Sequence, residues 1–400
     1  MLREAAKSVL ETKKFNAGNR KGLRICFISS YPPNHARLSE YAQSLVTELA
    51  RRPAIDQLIV LADKAANSDK KVSENPKIKI MRVWKHDDPL SILSVFNHIL
   101  KLKPDVVHFS IGFQSYGKTR ISNFLGISLI SLCRLCNIKV IVLLHNLAEI
   151  IDLEKIKKKP TFANKTGILV ATKLILSASR VIVMVRSYAN YLKQHYKINK
   201  VLFIPHGSTG EKCISLDPEE KVILTFGHMG PSKGLPIMLN AFQKIIKERS
   251  DVQLVIAGAD HPDFPGYLEK FRKSASPKVV FTGYVPEKDL CQVFGAADVV
   301  VTPYLIATGT SGVFHLACGF GKPVVSSDLP EMRELLDYGA SAILIPPGDD
   351  DALKDAILKV LDNKEATKKM CEQNLKFAQR ERWSTVAKIY EETYLKLLSS

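Results

Sequence analysis

The 400-residue sequence has no run of about 18 apolar residues, the length a helix needs to span a bilayer, which argues against a transmembrane segment. The first twenty residues (MLREAAKSVLETKKFNAGNR) lack the apolar block of a secretory leader. The seven cysteines are scattered and odd in number, which speaks against a disulfide framework. A reduced, cytoplasmic protein is the expectation. Disorder is excluded by a hydrophobic content of 46%, and the chain is too long for one compact core, so two domains are expected.

Acidic residues are scarce in one half only. Residues 1–200 carry 34 Lys+Arg against 14 Asp+Glu, a net of +20, and residues 201–400 carry 23 against 26, a net of −3, which together give +17. The basic half calls for an anionic partner: a membrane surface, a phosphate-bearing acceptor or nucleic acid. No nucleic-acid module or stripe of interleaved aromatic and basic residues is present, which weighs against the last.

What the sequence does contain is a regular rhythm of short, β-branched apolar runs separated by helix-length stretches. Leu23–Ser29, Leu58–Ala62, Ile78–Val83, Val106–Phe109, Val140–Leu144, Val181–Val185 and Val201–Ile204 read as strands. After a turn-rich, charged stretch at Pro205–Lys221 the rhythm resumes with Val222–Phe226, Val252–Ala257, Val279–Thr282, Val299–Thr302, Pro323–Ser326 and Ala342–Ile345. Alternation of strand and helix implies βαβ units, and continuous rather than alternating apolar strands imply parallel sheets covered on both faces. The fold class expected is α/β with two doubly wound, Rossmann-like domains. Ligands in such sheets bind outside the carboxyl ends of the strands, and a cleft between the domains is the expected site.

Two segments have the composition of an anion cradle. Phe226-Gly227-His228-Met229-Gly230-Pro231-Ser232-Lys233-Gly234 lies between a strand and a helix, where glycines allow close main-chain approach and a lysine stands beside a helix start. It lacks the spacing of a P-loop. Thr308-Gly309-Thr310-Ser311-Gly312-Val313 opens a helix with small residues and hydroxyls; Thr310 or Ser311 equally suits a plain N-cap. Two cradles in one half suit a diphosphate. Other suggestive residues have ordinary readings. Cys133-x-x-Cys136 lacks a second pair and sits in an apolar helix-like stretch; His315 reads as a packed helix residue; His206 shapes a turn; Lys155–Lys159 is a solvated run that could also meet anionic headgroups, with Ile121–Cys136 as its apolar neighbour.

Taken in order, Gly227…Lys233-Gly234, Gly283-Tyr284-Val285-Pro286, Ala297-Asp298 through Pro303-Tyr304, and Gly321-Lys322-Pro323-Val324-Val325 with Asp328-Leu329-Pro330-Glu331 resemble the donor half of the GT-B glycosyltransferases, in particular the retaining family 4 (glycosyltransferase group 1). Ser30-Tyr31-Pro32-Pro33, Glu40-Tyr41, Pro104-Asp105-Val106-Val107-His108, Leu144-His145-Asn146 and Pro205-His206-Gly207 match its first half.

The resemblance implies an N-terminal extension at 1–22, a Rossmann-like acceptor domain at 23–205 and a nucleotide-sugar donor domain at 206–380. The last helix, about 381–400, is implied to cross back to the first domain. The implied reaction moves a hexose from a nucleotide-diphosphate sugar to a glycan, lipid-linked or small-molecule acceptor with retention, without metal or other cofactor. Lys233 would meet the donor diphosphate, Gly283, Tyr284 and Val285 the base, and Gly227 with Thr308–Val313 the phosphates. Tyr31, His35, Arg37 and His145 would lie on the acceptor side, with His145, Lys233 and His228 at the chemistry. The sequence departs from the family at His228, where arginine is usual, and at Thr308 and Leu316, where two glutamates are usual. Loss of two charge-assisted hydrogen bonds is worth about 3–6 kcal/mol. These departures motivate the alternative of a catalytically degenerate binder.

Overall fold

A computed structural model describes residues 22–34, 37–64, 75–150, 161–209 and 220–400. The extension at 1–21, His35, the Arg37 side chain and the run Lys155–Lys159 lie outside the described residues. The described chain divides into two units, one of residues 22–34, 37–64, 75–150, 161–205 and 383–400, the other of residues 206–209 and 220–382.

The first unit contains β1 (Leu23–Ile28), α1 (Arg37–Ala50), β2 (Ile55–Asp63), β3 (Ile78–Trp84), α2 (Pro89–Leu102), β4 (Val106–Ile111), α3 (Arg120–Leu135), β5 (Lys139–Leu144), α4 (Phe162–Ile175), β6 (Arg180–Val183), α5 (Arg186–Tyr196) and β7 (Val201–Phe203). The second contains β8 (Lys221–Phe226), α6 (Leu235–Glu248), β9 (Val252–Ala257), α7 (Glu269–Arg272), β10 (Val279–Gly283), α8 (Leu290–Ala296), β11 (Val299–Thr302), α9 (Gly312–Gly319), β12 (Val324–Ser327), α10 (Pro330–Asp337), β13 (Ile343–Ile345), α11 (Asp350–Asp362) and α12 (Lys364–Arg380). A last helix, α13 (Trp383–Ser399), returns to the first unit.

Both sheets are parallel. Their orders are β3-β2-β1-β4-β5-β6-β7 and β10-β9-β8-β11-β12-β13. This is the doubly wound α/β architecture expected from the sequence. In each sheet the chain works outward on one side of the first strand and then on the other. The switch points are therefore β1/β4 and β8/β11, and the crevices outside their carboxyl ends are where this topology places ligands.

The continuous apolar strands are buried on both faces, as expected. In the first sheet Cys26, Ile28, Ile59 and Leu61 face α2–α5, while Ile25, Phe27, Leu58 and Val60 face α1 and α13. α13 contributes Val386, Ala387, Tyr390, Tyr394 and Leu397 to that second layer. Polar clamps fix it there: Glu391 accepts from Arg52 Nε at 2.8 Å and from the Ala54 N–H at 2.8 Å, and His108 Nδ1 lies 2.6 Å from the Tyr394 hydroxyl. In the second unit α6 and α11 cover one face, and α8–α10 with α12 cover the other.

One expectation needs correction. Glu287–Ala296 reads in the sequence as a single helix, but Glu287–Asp289 forms a 3₁₀ turn before α8, since a proline at 286 and charged residues give no apolar face to continue. Cys26, Cys133, Cys136, Cys318 and Cys371 are free thiols, but Cys291 is disulfide-bonded. An odd count speaks against a framework of bridges and says nothing about a single one.

Candidate functional site

The predicted residues of the second unit gather at the carboxyl edge of its sheet, at the β8/β11 switch point. Gly227 ends β8, and the Gly227 N–H donates to the Ala257 carbonyl at 2.9 Å. Gly258 follows β9, and its N–H donates to the Gly283 carbonyl at the end of β10 at 2.9 Å. The approach is close: a Cβ on Gly258 would stand 2.0 Å from the Gly227 carbonyl oxygen. Gly234 has φ +66°, and a Cβ there would stand 1.8 Å from the Pro303 carbonyl oxygen. No side chain fits at either position, so the loop before α6 is seated directly on the end of β11.

The second cradle meets the first here. Pro231–Lys233 forms a 3₁₀ turn, which the Leu305 N–H pins by donating to the Ser232 carbonyl at 2.9 Å. The Lys233 ammonium sits 3.5 Å from the centroid of the buried Tyr304 ring. Such a cation–π contact orients the charge at low entropic cost. The Ser311 hydroxyl lies 3.4 Å from the Tyr304 hydroxyl and caps α9 by accepting from the Phe314 N–H at 3.3 Å. The His315 N–H donates to the Ser311 carbonyl. By helix geometry the first-turn N–H groups of Gly312 and Val313 have no carbonyl behind them. A Cβ on Gly227 would touch Val313 at 3.4 Å, so the Gly227 loop and the start of α9 adjoin. Lysine, capping hydroxyl and helix-start amides thus converge, an arrangement suited to a phosphate or diphosphate.

Several predicted residues behave differently from one another. Tyr284 is exposed, as a residue lying by a base requires, whereas the Val285 side chain packs into the apolar layer and offers a ligand only its main chain. Thr308, Gly309 and Thr310 are half-buried. Leu316 packs against the same apolar layer, so no group at that position replaces the missing carboxylate.

His315 is 2% exposed, and its surroundings are more polar than those of a packed helix residue. Its Nε2 lies 2.9 Å from Thr310 Oγ1, its Nδ1 lies 3.3 Å from the carboxylate of Glu381, and its ring stacks on His206 at 4.7 Å. The Nε2 contact ties the Thr310 hydroxyl, and the loop that carries it, to the buried ring, while Nδ1 and the Glu381 oxygen face each other without hydrogen-bond geometry. Sequence reading missed Glu381 and Tyr304 as members of this site. Tyr304 lies in a motif segment that was quoted. Glu381 is brought in from the end of α12 and has no local signature.

In the first unit His145 follows β5 at the carboxyl edge of the sheet. Its Nε2 is 2.8 Å from the Ser110 hydroxyl at the end of β4, and the Tyr41 ring meets it edge-on at 4.8 Å. Burial pushes its pKa down to about 3, so the ring is a neutral hydrogen-bonding group, not a cation. His108 is likewise held down to about 3 by burial, with a smaller contribution from His145.

The expectation for Tyr31 is corrected: its side chain is buried in the core, because the apolar ring follows β1 directly into the layer beneath α1. What the Tyr31 segment offers is its main chain, held by a cluster that sequence reading missed. The Tyr31 N–H donates to the buried carboxylate of Asp63 at 3.0 Å, and Arg82 Nη1 donates to the Tyr31 and Asp63 carbonyls, each at 3.0 Å. Asn34 also bonds Asp63, and His86 lies 3.4 Å from it. Burial alone would raise the Asp63 pKa, but hydrogen bonds from His86, Asn34 and the Tyr31 N–H hold it below the usual carboxylate value.

Among the described residues no group of three or more His, Cys, Asp or Glu side chains is placed to hold a metal, and no helix is long and apolar enough to cross a membrane.

Comparison with known proteins places this geometry. Residues 220–363 match the family model described as Glycosyl transferases group 1. Over 155 residues the chain is 32% identical to an uncharacterized glycosyltransferase of Methanocaldococcus jannaschii, covering 38% of each chain. Over 179 residues it is 31% identical to the phosphatidyl-myo-inositol mannosyltransferase of Mycobacterium leprae, covering 43% of this chain and 46% of that one. The matches thus span less than half the length of these relatives. Similar solved structures include sucrose-phosphate synthase from Thermosynechococcus elongatus, with a TM-score of 0.76 at 18% identity over 95% of this chain and 100% of that one. Another is Anabaena HepE in complex with UDP and glucose, with a TM-score of 0.70 at 18% identity over 93% and 99%. At that identity the structures establish a shared GT-B fold.

Proposed function

We propose, for a chain whose second unit belongs to the group 1 glycosyl transferases and whose fold is GT-B, that it transfers a hexose from a nucleotide-diphosphate sugar to an acceptor, with retention and without a metal. The observation that carries this reading is the convergence of Lys233, Tyr304, Ser311 and the start of α9 at the β8/β11 switch point. UDP bound to HepE supports a nucleoside diphosphate as the donor portion.

In this reading Lys233 and the Gly312 and Val313 amides take up the charge that develops on the leaving diphosphate. These donors are fixed before the ligand arrives, so little reorganisation opposes them. His228 stands in the Gly227 loop as a weaker partner for a phosphate than a guanidinium fork. Tyr284 lies by the base. Thr310, set by His315, positions the sugar or phosphate. On the acceptor side the neutral His145 ring shares a hydrogen bond with an acceptor hydroxyl, and the sequence motif adds His35 and Arg37 as candidates whose side chains lie outside the described residues. Retention follows if the acceptor attacks from the face the diphosphate leaves, with a donor-phosphate oxygen taking its proton. The C–O bond to the diphosphate breaks, that to the acceptor oxygen forms, and nucleoside diphosphate departs.

The test is release of nucleoside diphosphate from UDP-, GDP- or ADP-sugars with a panel of glycan, lipid and small-molecule acceptors, with and without a chelator. The anomeric configuration of the product is then read by NMR. Donor- and acceptor-dependent release, insensitive to the chelator and giving the retained anomer, is the expected result. One observation favours a second reading: the apolar packing of Leu316 leaves the cradle without the carboxylate its family usually carries. Binding of a nucleoside diphosphate without turnover on any donor would establish the degenerate binder instead.

A further inference from the structure

The outer surface of the first unit does not have the composition of a solvated surface. α2, α3 and α4, which cover one face of the seven-stranded sheet, contain no aspartate or glutamate. No acidic residue occurs anywhere between Val106 and Ala148. Surface helices of soluble domains carry both signs of charge. Here the charge is of one sign, and large apolar side chains stand in water beside it. Phe162 is 86% exposed, Leu90 81%, Ile121 67% and Phe124 50%.

These side chains occupy one place. Leu90 lies in the first turn of α2, Ile121 and Phe124 at the start of α3, and Phe162 opens α4. The three helix starts are bonded together. The Asp87 carboxylate accepts from the Lys118 and Thr119 N–H groups at 2.9 and 2.8 Å, and Arg120 Nη2 donates to Asn164 Oδ1 at 2.7 Å. Exposed Lys118, Arg120 and Lys165 stand among the apolar groups. Among the described residues, Asp87 and Asp88 at this end are turned onto main-chain donors, Asp87 as above and Asp88 as the cap of α2. The helix starts add the positive ends of three macrodipoles.

We infer that the starts of α2, α3 and α4 form a membrane-docking face that inserts Leu90, Ile121, Phe124 and Phe162 among the lipids of an anionic bilayer. A basic rim around protruding aliphatic and aromatic side chains is what shallow insertion between charged headgroups requires. A protein partner matched to this face would need an unbroken acidic rim around an apolar hollow, whereas an anionic bilayer supplies both without shape matching. These helices follow β3, β4 and β5, so their starts lie at the carboxyl edge of the sheet that also carries His145. Resting on the glycosyltransferase reading, this makes a membrane-borne acceptor the substrate class.

The face is tested on the full chain without donor or acceptor, so its outcome is independent of sugar transfer. Co-sedimentation is measured with phosphatidylglycerol-rich and with pure phosphatidylcholine vesicles, at low and high salt. The wild-type chain sediments with the anionic vesicles at low salt, and binding to phosphatidylcholine or at high salt is weaker by about tenfold or more. The double variant Phe124→Ser, Phe162→Ser binds anionic vesicles at least about tenfold more weakly while its thermal midpoint is unchanged. Failure of the wild type to sediment with anionic vesicles overturns the proposal, as does undiminished binding of the double variant. So does a saturable complex with a soluble protein at this face in the absence of vesicle binding.

Discussion

The two units share one topology and build the carboxyl edges of their sheets from opposite materials. In the second unit the edge is mostly main chain: Gly258 and Gly234 let loops approach to distances no side chain survives, and helix-start amides are the donors proposed for the ligand. In the first unit the edge is made of side chains: Asp63 with Arg82 and His145 with Ser110, with the His108–Tyr394 pair buried beneath them in the middle of β4. On the proposed function the difference has a reason: a diphosphate presents charge that any well-placed N–H can meet, so a main-chain cradle suffices. An acceptor presents hydroxyls whose direction must be read, which requires side chains held in fixed orientations.

The comparison breaks hardest at its tightest point. Gly258→Ala puts a methyl group 2.0 Å from the Gly227 carbonyl oxygen and is expected to destabilise the second unit by about 3 kcal/mol or more, read as a drop in the urea midpoint. Gly266, which also has a positive φ but meets nothing within 4 Å, separates backbone strain from collision: Gly266→Ala costs only about 1 kcal/mol.

Lys233→Ala leaves the fold in place and removes a charge from the cradle. Turnover on any productive donor falls by about 100-fold or more with little change in thermal midpoint. Normal turnover in that variant removes the loop from the proposed chemistry.

The first unit is the acid-sensitive one. His108 and His145 have folded pKa values of about 3 against 6.5 for the free residue, so the unfolded chain binds more protons below pH 6.5. Their contribution to stability is complete above that pH and is lost progressively as the pH falls toward 3. Between about pH 7 and pH 5.5 the two together withdraw about 2 kcal/mol, chiefly from the first unit. A denaturation midpoint constant over this range contradicts the buried-histidine account. A comparably small effect is at the clamp on α13: Tyr394→Phe strands His108 Nδ1 and costs about 1–2 kcal/mol, and the cost vanishes in a variant that also carries His108→Phe.

What the sequence revealed follows the same division. The main-chain edge was legible because its parts are contiguous. Glycines and a lysine between a strand and a helix, and Ser311 before an apolar helix, signal a cradle within a few residues. The side-chain edge was not. Asp63, Arg82 and the Tyr31 main chain come from three separate strand ends, and Tyr394 meets His108 from the far end of the chain. Tyr31 itself was assigned to the site because its motif was recognised, while its apolar ring obeyed the core. In α3 the apolar content reads as interior, and only the packing reveals that Ile121 and Phe124 face outward. Periodicity identifies a helix and its apolar face; it does not show where the neighbouring helices stop covering that face.

The most direct measurement is the thermal midpoint of the chain with UDP, GDP and ADP and their sugar conjugates, in wild type and in Lys233→Ala. The account predicts that one nucleoside diphosphate at about 100 times its Kd stabilises the wild type by about 2.7 kcal/mol and gives a far smaller shift in the variant. No shift with any nucleotide, or the same shift in both proteins, contradicts it.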